Sequence, residues 1–150
     1  MSRVALLLAL PLVFACTKKD EPAPVDSTAA VAAAPAPASH VGKWAVNVMP
    51  QDKDTVVASY VLETTDSQDG WKLTFPNAEP LDVRVITMNG DSIVTDVGPF
   101  PSQVRKGEKV NVVRSTWRVN GDKLSGLATV HYDRKAADSV SVLRLEGTRQ

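Results

Sequence analysis

The chain has 150 residues, with 17 Lys and Arg balanced by 17 Asp and Glu, so its formal net charge at pH 7 is zero. This length supports one folded domain, and with no net charge nothing global points to nucleic acid or to an acidic lipid surface. The chain holds one cysteine, which excludes an internal disulfide and a cysteine-based zinc site.

Residues 1–15 have the three parts of an export signal. Arg3 is a positive start, Val4 to Phe14 an apolar run, and Ala15 a small residue before a break. The run is about 11 residues, against roughly 20 for a membrane-spanning helix. It is followed by Cys16 and then by Lys18, Lys19, Asp20, Glu21 and prolines. The stretch Val13-Phe14-Ala15-Cys16 resembles the lipobox of bacterial lipoproteins cleaved by signal peptidase II. The resemblance implies that Cys16 becomes the mature N-terminus and carries acyl chains through its sulfur. Thr17, where Asp would signal retention, implies delivery to the outer membrane, facing the periplasm. Each buried methylene contributes about 0.8 kcal/mol, so two or more chains hold stably where one does not.

Residues 16–41 follow as a lipidated cysteine and a tether of Ala, Pro, Ser and Thr. Such a segment buries too little apolar surface to offset its ordering entropy, and disorder is expected. His40 falls in this tether and is expected to be solvated.

From residue 42 to 150, strand-like runs recur with turn signals between them. The runs are Lys43–Met49, Val56–Glu63, Trp71–Phe75, Leu81–Met88, Ser92–Val97, Val110–Val119, Lys123–Tyr132 and Asp138–Gly147. Asp69-Gly70, Asn89-Gly90-Asp91 and Asn120-Gly121-Asp122 separate them, and Asn-Gly pairs are strong hairpin signals. Alternation puts Trp44, Val46 and Val48 on one face, and likewise Leu124, Ala128, Val130 and Tyr132. It slips at Val85-Ile86 and at Val142-Leu143, where β-bulges or doubly buried ends are expected. Short links make this an all-β antiparallel meander. Eight strands of this kind close into a small barrel or, as the alternative, stack as a β-sandwich. Gly42-Lys43-Trp44 and Arg149 resemble the calycin superfamily, the lipocalins and their relatives. The resemblance implies a lipocalin-like barrel in which the Gly-x-Trp of the first strand, Gly42 to Trp44, packs beneath Arg149 of the last strand at the closed end.

The barrel is expected to direct Trp44, Tyr60, Trp71, Phe75, Trp117 and Tyr132 inward. An eight-stranded interior is either filled by side chains or just wide enough for one small ligand, and this many rings favours filling. The link 98–107 carries Phe100 between two prolines, either presenting it at a rim or plugging an end with it. Tyr60, Trp71, Phe100, Trp117 and Tyr132 are therefore the candidate contacts for a ligand or partner. Arg105, Lys106, Lys109, Arg114 and Arg118 form a local basic cluster suited to lipid headgroups, lipopolysaccharide phosphates or an acidic partner. Residues 65–70 begin like a calcium loop, but Pro76 stands at the place of the closing Glu, which makes the stretch a turn.

The expected function is that of a lipid-anchored envelope lipoprotein, a non-catalytic binding or interaction module for a protein partner or a small apolar ligand. No metal or cofactor pattern is present in the sequence. The alternative is a periplasmic hydrolase using His131 and Asp133, which lie two apart on one strand with Ser125 and Thr129 on the same face.

Overall fold

The computed structural model describes residues 39–150 except Ala136; the export segment, Cys16 and most of the tether lie outside these residues. The described strands are β1 (Gly42–Pro50), β2 (Ala58–Thr64), β3 (Lys72–Thr74), β4 (Leu81–Asn89), β5 (Ser92–Val97), β6 (Phe100–Pro101), β7 (Lys109–Asn120), β8 (Lys123–Tyr132) and β9 (Val140–Arg149). Every pairing is antiparallel. The ladder runs β5-β4-β3-β2-β1-β9-β8-β7-β6, and β5 also pairs with β7. That pairing closes eight strands into a barrel, with β6 as an extra strand. Closure removes exposed sheet edges, and the sandwich alternative is excluded.

The two Asn-Gly-Asp stretches form two-residue hairpin loops, with Asn89 opposite Ser92 and Asn120 opposite Lys123. Gly90 and Gly121 take φ of 59° and 58°, while each Asn ends its strand. Glycine at the first central position suits the tight turns that match strand twist. The parity slip in β4 is a bulge between Val85 and Thr87. That in β9 is not. Its pairing with β8 is continuous from Lys123↔Thr148 to His131↔Val140, so Val140 and Val142 simply face water while Leu143 and Leu145 face in.

One end of the barrel is shut where the residues leading into β1 meet the end of β9. The Arg149 guanidinium lies 4.2 Å from the Trp44 ring centroid, a contact worth about 0.5–2 kcal/mol. Arg149 also donates to Asp122 at 3.0 Å and to the carbonyl oxygens of Val41 and Ser39. Trp44 Nε1 donates to the His40 carbonyl at 2.9 Å. Gly42 has φ of 138°, a backbone conformation that favours glycine, and a Cβ there would also meet Arg149 Nη1 at 2.8 Å and push the guanidinium from its seat. His40 is not solvated as a tether residue would be. It is half-buried, stacks on Trp71 at 5.7 Å and shares a hydrogen bond with the Thr65 carbonyl at 3.0 Å. The turn 65–70 meets it there, folded on Thr65 and Ser67 side chains that bond the Asp69 carbonyl.

Candidate functional site

The interior is mostly filled but not completely. Trp44, Trp71 and Trp117 are fully buried, yet a cavity of about 60 Å³ remains toward the opposite end of the barrel. Its wall is apolar and draws on most barrel strands, including Val48, Leu62, Leu73, Val97, Ala128 and Leu145. Polar groups are few. Thr95 and Ser115 are buried on it, and the Thr95 hydroxyl accepts from Trp117 Nε1 at 3.1 Å. Burial of Tyr60, also on the wall, holds its phenol proton far above the ordinary range. A water needs roughly 10–15 Å³ of such space and polar partners, while an apolar void stays dry.

The mouth is covered by the link between β5 and β7. Phe100 of β6 pairs with Val110 and is buried against Phe75, centroids 5.5 Å apart. Phe75 in turn meets Tyr60 edge-on at 5.6 Å. Phe100 thus plugs the barrel rather than being presented at its rim. Beyond it Ser102, Gln103 and Val104 complete the cavity wall, and Val104 is exposed. Arg105 latches this tip. Its guanidinium lies 4.3 Å from the Tyr132 ring centroid and donates to Ser141 Oγ at 2.9 Å and the Asp138 carbonyl at 3.0 Å. Glu108 and Asp138 are tied further by Arg134 at 2.6 and 3.1 Å. Each end of the barrel therefore carries an arginine laid on a buried ring.

Of the five sequence candidates, Tyr60, Phe100 and Trp117 meet around the cavity. Trp71 sits at the closed end with His40, and Tyr132 carries the Arg105 latch. The basic cluster is not one patch. Arg105 is engaged with Glu108 and Asp138, and Arg114 with Asp96. Lys106, Lys109 and Arg118 are exposed and make no ion pair among the described residues. His131 and Asp133 are both exposed. Across the ladders His131 faces Val112 and Val140, which offer no group to orient its ring, and Ser125 lies six residues, about 20 Å, along the strand.

Asp96 is a feature that the sequence did not announce. Its side chain is 5% exposed on the outer wall, held by Arg114 Nε and Nη2 at 2.8 Å each and by Arg84 Nη2 at 3.1 Å. The Arg114 hydrogen bonds, aided by Arg84 and opposed by burial, keep the carboxyl below its ordinary 3.8. A depressed carboxyl stabilises the fold above the unfolded value and loses that contribution as pH falls through the folded one. Asp96→Asn is expected to cost about 1–2 kcal/mol at neutral pH, the lower part of the range because both guanidiniums keep much of their surface in water. In urea titrations the gap between parent and variant should close below about pH 3.8; a gap independent of pH would remove the charge from the explanation.

The chain matches no protein-family model, and comparison with curated proteins and with solved structures yields no match.

Proposed function

We propose that the protein is a lipid-anchored lipoprotein of the bacterial envelope, held at the outer membrane through Cys16, whose barrel is a non-catalytic binding module for a small apolar ligand. The observation that carries the ligand reading is the capped apolar cavity. Close-packed interiors leave few voids larger than a water, and this one is walled by side chains that offer a guest almost no hydrogen bond. It is smaller than the roughly 150 Å³ engineered cavity that accepts benzene. The guest is therefore one narrow end of an apolar molecule, with the remainder leaving past exposed Val104. The burial of Phe100 favours this reading over a protein partner gripped at that residue. The tether, residues 16–41, would let the barrel stand away from its anchor, a coil of this length spanning on the order of 25–30 Å.

One preparation tests both halves. In cells given radioactive palmitate the parent chain should be labelled and Cys16→Ser should not. Native mass spectrometry of the parent should show a bound small molecule, and Ala128→Leu, which fills the cavity wall, should release it. Label retained in Cys16→Ser removes the anchor; a parent mass with nothing bound removes the ligand.

A further inference from the structure

In a neutral chain, β7 and β8 carry Lys109, Arg114, Arg118 and Lys123 and not one Asp or Glu. The turn acid between them, Asp122, is held by Arg149, and Asp96 holds Arg114. Arg118, Lys109 and Lys123 make no ion pair among the described residues, and all three are exposed. The same outer wall carries three of the exposed large hydrophobic side chains: Leu127 at 48%, Val140 at 46% and Val142 at 40%.

The register fixes how these groups lie together. Leu127 stands opposite Thr116 of β7 and Arg144 of β9. Along the outer face of β7, Arg114 and Arg118 are two residues to either side of Thr116, diagonal neighbours of Leu127 at roughly 7–8 Å. Val142 is the corresponding diagonal neighbour on β9, and Arg114, Arg118, Leu127 and Val142 line one shallow groove. Arg144 is already committed to Asp54 and Glu146, so the cationic side is that of β7 and β8. The combination is an apolar strip with guanidinium and ammonium groups beside it, the arrangement that fits an anionic amphiphile.

From this juxtaposition we infer that the outer wall of β7, β8 and β9 docks on an anionic lipid bilayer. Leu127, Val140 and Val142 enter the headgroup boundary, while Arg118 and Lys123 meet lipid phosphates. Each basic residue near such a surface contributes about 1 kcal/mol, screened by salt, and guanidinium is shaped to pair with phosphate oxygens. Pairing of two copies through this wall is disfavoured by charge, because a two-fold axis sets the same cationic patch against itself. The surface depends neither on the cavity nor on lipid at Cys16.

The test uses the full chain with Cys16→Ser, so that one introduced thiol carries an environment-sensitive dye. Leu127→Cys reports the proposed wall, and Ile86→Cys, exposed on β4, reports another. On vesicles containing phosphatidylglycerol, dye emission at position 127 should rise severalfold with a blue shift while that at 86 stays nearly unchanged. Pure phosphatidylcholine vesicles or molar salt should abolish the difference. Arg118→Glu with Lys123→Glu should cut the response at 127 at least tenfold while the near-ultraviolet signal of the buried tryptophans is kept. Equal responses at the two positions, equal responses on the two lipids, or insensitivity to the charge reversal would each overturn the docking surface. Because Cys16 is absent throughout, none of these results bears on the anchor.

Discussion

Trp44→Ala is expected to lower the stability of the barrel by about 4 kcal/mol, within the range for a buried tryptophan. Trp44 has no exposed surface and sits on β1, which is bonded on one side to β2 and on the other to β9. Three things are lost together. The indole leaves a void at the closed end, the Arg149 guanidinium loses the ring beneath it, and the His40 carbonyl loses the Nε1 donor. The Thr64 hydroxyl also donates to that carbonyl, so the oxygen is not orphaned and the void dominates the cost. For a domain of this size the loss corresponds to a fall in thermal midpoint of roughly 15–20 °C. Trp44→Phe keeps a ring for Arg149 but not the donor, and should cost well under half as much. The measurement is a pair of urea titrations. A loss below about 1 kcal/mol for the alanine variant would mean that the backbone ladder alone shuts the seam between β1 and β9.

The strand pattern was readable because a period of two survives in a half-buried sheet. Val46 and Val48, or Leu124, Ala128 and Val130, declare the same inward face in sequence that they occupy in the barrel. The hairpins were readable for a local reason as well, since the glycine that needs positive φ lies within the turn it makes. What the sequence withheld was set by groups far apart in the chain. Asp96 looks like any surface acid until Arg84 and Arg114 arrive from positions 12 and 18 residues away. His40 reads as tether because its stacking partner, Trp71, comes from beyond the next two strands. β6 has only two residues, one of them proline, too short for any period. Val140 and Val142 misled for the opposite reason. Apolar side chains are expected inside, so their outward parity suggested a bulge, whereas the continuous ladder keeps them at the surface. The cavity is the least legible of all, being the residue of many packed volumes and not the property of any one side chain. A rule that reads only burial tendency places three tryptophans inside correctly and still cannot say which of them borders empty space.

Gly126→Ala should cost about 3 kcal/mol, although nothing about the backbone angle at this position calls for glycine. It is a strand residue on the inward face of β8, set directly across from Trp117 of β7. An added methyl would overlap the Thr116 carbonyl oxygen and approach Trp117 Cε3 to 3.1 Å. The first of these neighbours is backbone within the β7–β8 ladder, so it cannot swing aside as a side-chain tip would. Relief requires the two strands to part locally, with weakened ladder hydrogen bonds and a disturbed seat for the buried indole; overpacking of this kind typically costs 1–3 kcal/mol, occasionally more. Gly90→Ala supplies the contrast. There a Cβ has nothing within 4 Å, but φ is 59°, so the penalty is conformational alone and about 1 kcal/mol. Trp117→Leu would relieve the contact with the ring but not the overlap with the carbonyl, so adding it to Gly126→Ala should not restore stability. Hydrogen exchange should then quicken first along β7 and β8. Recovery in the double variant, or exchange unchanged in these strands, would show that the ring and not the strand spacing forbids a side chain at residue 126.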